Sequence, residues 1–94
     1  MLTNARLVYQ PHDHVRSINA ALDRAHEICE TANLRLTATR EAILRLLWQS
    51  HQPLGAYQLQ QQLAKITDKP VAPPTIYRAI EFLIDLGLVH RIPS

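Results

Sequence analysis

Two adjacent prolines, Pro73 and Pro74, stand directly before the most regular apolar pattern in the chain. No other feature restricts the fold as much. Proline is tolerated in the first turn of a helix, where its missing N–H would have no partner, and breaks the helix further in. A helix must therefore begin here and cannot extend backwards. Ile76, Ile80, Leu83 and Ile84 follow at the spacing of one buried helical face. Thr75 and Arg78 fall away from that face, and Tyr77 sits at its margin. The pattern predicts a helix over about Pro74–Leu86, stopped at Gly87, a residue suited to the left-handed position after a helix. Its first turn offers a hydroxyl, a phenol and a guanidinium.

Three shorter helices are expected before it. The first covers about His14–Thr31, with Asp13 as its cap. Val15, Ile18, Leu22, Ala25 and Cys29 draw its apolar stripe. Asn33 closes it, and Thr37 caps a second helix over about Ala38–Ser50. Ile43, Leu46 and Leu47 form the buried face of that helix, with Ala42 and Trp48 flanking. Pro53 and Gly55 end it. The third runs over about Ala56–Ile66, with Ala56, Leu59, Leu63 and Ile66 inward and Gln58, Gln60, Gln61 and Gln62 outward. The segment Thr67–Ala72, with Pro70, is a turn. Residues 1–13 show no sustained period and read as an irregular lead-in, so the folded domain is expected over residues 14–94.

After Gly87, Leu88–Ile92 reads as a short strand. A lone strand is not stable, and the sequence stops at Ser94. The expected partner would therefore follow Ser94, and the chain would be a piece of a longer protein. The order is helix, turn, helix, then a strand directly after a glycine. That is the order of a winged helix-turn-helix: a mainly α domain of four helices with an incomplete β-wing. In helix-turn-helix modules the second helix of the pair enters the major groove of DNA.

Composition is compatible with this and excludes other classes. Hydrophobic residues make up 47% of the chain and charged residues 19%, enough for a small core. No apolar run approaches the roughly 18 residues of a membrane span, and the N-terminus lacks a secretory pattern, so a cytoplasmic location is expected. One cysteine, Cys29, excludes an internal disulfide or a four-cysteine zinc site; its place on an apolar stripe reads as core. Net charge is only +2, but seven of the ten basic side chains lie in residues 31–94. No pair of histidines has metal-helix spacing, there is no glycine-rich phosphate loop, and no nucleophile arrangement stands out. An enzyme is not expected.

Double-stranded DNA is the expected partner. Arg78 can donate two hydrogen bonds to a guanine edge. Tyr77 can meet a thymine methyl or a phosphate. Thr75 can hold a phosphate, aided by unpaired N–H groups at the helix start. Tyr57 and Arg40 can hold backbone phosphates, which set register without reading sequence. Other roles stay open for each. Tyr77 also fits the core edge, Arg78 a solvated charge, Tyr57 the core, and Arg40 an ion pair with Glu41 or Glu81.

Three stretches, in order, resemble the ferric uptake regulator family. Leu34-Arg35-Leu36-Thr37-Ala38-Thr39-Arg40-Glu41-Ala42-Ile43-Leu44 is similar to its "R-L-T-x-x-R-x-x-V-L" stretch. Thr75-Ile76-Tyr77-Arg78-Ala79-Ile80 resembles its "T-V-Y-R-x-L" recognition helix, and Leu86-Gly87-Leu88-Val89-His90-Arg91 its "x-G-L-V-x-R" entry to the wing. Ala56-Tyr57, the proline pair and Gly87–His90 are most similar to the zinc uptake regulator branch. The resemblance covers roughly residues 15–92.

It implies a zinc-responsive repressor, a homodimer on a palindromic operator of zinc-uptake genes, with a C-terminal metal-binding dimerisation domain absent from this sequence. It places Tyr77 and Arg78 at operator-reading positions, Tyr57 at a DNA contact and Arg40 near the backbone. It makes His90 a ligand of the regulatory zinc in a full-length protein. No zinc is expected on this chain alone. Ala38 departs from the usual proline, and Gln61 and Ala64 replace the acid and base that link neighbouring dimers in some zinc regulators. Two alternatives remain: a member of the same family sensing iron, manganese or peroxide, or a winged helix used for protein contact, with Tyr77 and Phe82 as anchors.

Overall fold

The computed structural model describes residues 5–9, 17–50 and 52–93. Four helices pack against a three-stranded sheet. The elements in chain order are β1 (Ala5–Tyr9), α1 (Ile18–Thr31), α2 (Ala38–Gln49), β2 (Leu54–Gly55), α3 (Ala56–Thr67), α4 (Pro73–Asp85) and β3 (Val89–Pro93). The mainly α winged-helix architecture is therefore present.

Local chemistry sets most boundaries. Ser17 caps α1, its hydroxyl accepting from the Ala20 N–H at 3.1 Å. Helix α1 thus begins at Ile18, not at His14; Asp13, His14 and Val15 lie outside the described residues. Asn33, at φ 57°, turns the chain out of α1, and the Leu34 N–H reaches back to the Cys29 carbonyl at 2.7 Å. Thr37 caps α2 as expected. At the end of α4, Gly87 sits at φ 76°, with the Gly87 N–H on the Ile84 carbonyl and the Leu88 N–H on that of Leu83. This closure needs a left-handed residue, which glycine supplies without a Cβ penalty. It also turns the chain directly into β3.

The core joins all four helices and the sheet. Leu22, Leu44, Leu59, Leu63, Ile80, Leu83 and Val89 belong to one buried cluster. Most predicted stripes face it, with two differences. Leu44 is buried where Leu46 was expected, because α1 and β1 cover α2 from a second side. Ile66, in the last turn of α3, is 59% exposed, so the buried face of α3 ends at Leu63.

The sheet departs furthest from expectation. Its order is β2-β1-β3, and both pairings are antiparallel. Residues 5–9 are therefore a strand inside the fold and not part of an irregular lead-in. Strand β3 has its partner at the amino-terminal end of the chain, with Leu7 opposite Arg91 and Tyr9 opposite Val89. Strand β3 is thus paired without any residue after Ser94, and the folded domain takes in residues 5–9.

Candidate nucleic-acid interface

Helices α3 and α4 are joined by a turn whose conformation is fixed from several directions. Asp68 takes a left-handed conformation at φ 57°. The Thr67 hydroxyl bridges the carbonyls of Leu63 and Lys69 at 2.9 and 3.0 Å. Gln60 donates from Nε2 to the Val71 carbonyl at 2.7 Å, tying the far end of the turn to α3. Gln60 was expected on the polar side of α3, but its place in the turn was not foreseen. No local signal marks a bond spanning eleven residues.

Both Pro73 and Pro74 lie in the first turn of α4. Ile76, Ala79, Ile80 and Leu83 are buried, which leaves Thr75 and Arg78 exposed and Tyr77 half-buried against the core edge. One expectation is corrected here. The start of α4 was to offer unpaired N–H groups, but two of its first residues are prolines, and the Thr75 and Ile76 N–H groups both bond the Ala72 carbonyl. Any anion at this end must be held by side chains. By contrast, at the start of α2 the Thr37 cap bonds the Arg40 N–H. Helix geometry leaves the N–H groups of Ala38 and Thr39 without intrahelical acceptors.

The predicted residues form one continuous surface. Tyr57 and Tyr77 line a small cleft between α3 and α4, of about 110 Å³. Tyr77, Arg78 and Arg40 line the next, with Glu81, Phe82 and Asp85. Arg40, Arg78 and Thr75 share a third, of about 300 Å³, with Thr37 and Thr39. The clefts share walls, so all five residues line one run of surface. Thr37, the cap of α2, and Thr39 in its first turn also line this run, beyond the residues expected from the sequence.

Individual environments narrow the open roles. Tyr57 is 69% exposed and its hydroxyl accepts from Gln61 at 3.2 Å, so it is not a core residue. Arg40 pairs with neither Glu41 nor Glu81. Its Nη1 donates to the Arg35 carbonyl at 2.9 Å, and its guanidinium lies 3.7 Å from the centroid of the Phe82 ring. Glu41 is engaged by His26 and Arg45, and Glu81 by Arg91. The Phe82 ring, proposed as an anchor for protein contact, is thus covered by Arg40.

Cys29 is buried, and burial raises its thiol pKa, the nearby Arg40 charge opposing only in part. It is a protonated core residue, as its place on the stripe predicted. His90 is half-buried on β3, opposite Val8. Among the described residues no three His, Cys, Asp or Glu side chains stand close enough to hold a metal. Tetrahedral zinc needs several such donors, so His90 alone does not fit a site. His12, His14 and His51 lie outside the described residues. Among the described residues no helix is long and apolar enough to cross a membrane.

The sequence model of the ferric uptake regulator family matches residues 31–94. The zinc uptake regulation protein of Escherichia coli (strain K12) is 38% identical over 73 residues, covering 78% of this chain and 42% of that protein. The protein of the same name from Shigella flexneri gives the same figures. A solved structure of a zinc uptake regulator complexed with zinc and DNA matches with a TM-score of 0.69 at 27% identity, covering 85% of this chain and 57% of its own. The chain spans less than half the length of the curated relatives it matches.

Proposed function

The chain belongs to the ferric uptake regulator family, and we propose that it is the DNA-reading part of a zinc-responsive transcriptional repressor. One observation carries the proposal: Tyr57, Tyr77, Arg78, Thr75 and Arg40 line one run of surface at the start of a proline-opened helix. In this reading α4 enters the major groove. Arg78 is exposed in its first turns and donates to a guanine edge, worth about 1–3 kcal/mol of discrimination. Tyr77 meets a neighbouring base or phosphate beside it.

Backbone phosphates are held on both sides. The cleft lined by Thr37, Thr39, Arg40 and Thr75 takes one, with three hydroxyls, the Arg40 guanidinium and the free N–H groups at the start of α2, while Arg78 at its edge is left to the bases. Tyr57 takes another through its exposed hydroxyl. Such contacts fix register and make binding depend steeply on salt.

The names of the relatives favour zinc over iron, manganese or peroxide as the signal. Zinc would act on a longer, dimeric protein, to which His90 contributes one ligand, and the dimer would present two copies of α4 to a palindromic operator of zinc-uptake genes. Its place of action would be the cytoplasm, and no catalytic step is assigned. The cover of Arg40 over Phe82 disfavours the protein-contact alternative. Titrating the chain onto a zinc-importer promoter fragment at two salt concentrations tests the reading. Salt-independent binding, or none at any salt, would sink it.

A further inference from the structure

Strands β2 and β3 are not hydrogen-bonded to each other; β1 lies between them and pairs with both. The sheet that flanks the recognition helix is therefore closed by the chain's own amino-terminal segment. That segment precedes residue 31, where the match to the family model begins. The register aligns Arg6 with Ile92, Leu7 with Arg91 and Val8 with His90. Facing pairs project to the same side of a sheet. Leu7 is 1% exposed and belongs to the one core cluster that the four helices and the sheet share, with β1 packed on α2 and α3. Arg91, opposite it, pairs with Glu81 of α4. Arg6 and Ile92 stand on the other, open side, both exposed.

We propose that β1 is the positioning element of the DNA-reading surface. Docked Leu7 seats β3 against the helices, and the Arg91–Glu81 pair then ties β3 to the face of α4 that carries Tyr77 and Arg78. Without β1, β2 and β3 lose their shared partner, and α4 loses its brace one turn beyond Arg78. The residue that acts is Leu7, through packing; Arg6 carries charge but does no positioning. This inference rests on the reading of α4 as a DNA-binding helix.

The test uses two sets of variants of the full chain, with binding to promoter DNA read by fluorescence anisotropy. Leu7→Asp places a carboxylate where the core admits none, so β1 undocks. We expect a loss of at least about tenfold in DNA affinity, with the helical circular dichroism retained. Arg6→Ala is expected to change affinity by less than about twofold, within the range of an exposed charge. The second set does not depend on a core substitution. Facing β residues bring their Cα atoms within disulfide reach, so Arg6→Cys with Ile92→Cys should cross-link within one chain. The oxidised form is expected to bind at least as tightly as the reduced form.

Three results would overturn the inference: Leu7→Asp binding like the unaltered chain, Arg6→Ala losing as much as Leu7→Asp, or the oxidised form binding about tenfold more weakly. If the unaltered chain fails to bind DNA at all, the proposed function fails instead. In that case intrachain cross-linking and slow amide exchange in β2 and β3 still report whether β1 is docked.

Discussion

Replacing Phe82 by leucine should weaken DNA binding although Phe82 is not assigned a DNA contact. The guanidinium of Arg40 lies 3.7 Å from the Phe82 ring centroid, well inside the range of a cation–π contact. Both side chains are half-buried, so about 0.5–1 kcal/mol is the appropriate magnitude. Leucine keeps most of the apolar volume, which limits any packing loss to under about 1.5 kcal/mol. A double-mutant cycle with Arg40→Met isolates the contact. The bond from Arg40 to the Arg35 carbonyl is lost in both backgrounds and cancels. Thermal unfolding of the four proteins should give a coupling of about 0.5–1 kcal/mol, or roughly 2–8 °C in Tm. If that contact also holds Arg40 over its phosphate cleft, Phe82→Leu lowers DNA affinity by about two- to fivefold. A coupling indistinguishable from zero would refute the claim that Phe82 positions Arg40. Unchanged DNA affinity with intact coupling would move Arg40 out of the DNA surface.

Other expectations follow from single groups. Gln60→Ala removes the 2.7 Å bond to Val71; we expect a loss of about 1 kcal/mol and faster amide exchange in residues 68–72. Gly87→Ala adds a methyl that meets open space, yet φ is +76°; the cost is therefore backbone strain of about 1 kcal/mol, seen as a lower Tm. Cys29 should resist thiol reagents in the native chain and react after denaturation. Its raised pKa means that the folded chain holds the proton more tightly than the unfolded one. Stability from this site is thus complete at neutral pH and declines as pH rises above the ordinary thiol range, which pH-dependent unfolding would register.

The helices were legible because their signals are local. Apolar spacing, Ser, Thr and Asn at the ends and the proline pair each act within a few residues. The exposure of Thr75 and Arg78 and the half-burial of Tyr77 were legible for the same reason, since all three lie on one helix and their directions follow from its period. Strand β1 was not. Its inward residues Leu7 and Tyr9 are flanked by Val8, apolar on the open side, so alternation is masked over a five-residue run. Its partners lie 47–49 residues away in β2 and 80–88 residues away in β3, and no local pattern specifies either pairing. The missing N–H donors at the start of α4 could have been read from Pro73 and Pro74 directly. The capture of the Thr75 N–H by the Ala72 carbonyl has no such signal in the sequence.

The central claim is that α4 reads bases through Arg78. It is tested most directly by anisotropy titration of the unaltered chain and Arg78→Ala against a zinc-importer promoter duplex and a scrambled duplex at matched salt. The unaltered chain is expected to prefer the promoter, and Arg78→Ala to lose about 1–3 kcal/mol of that preference with little change on scrambled DNA. Equal affinity of the unaltered chain for both duplexes, or a uniform loss on both for Arg78→Ala, would contradict it.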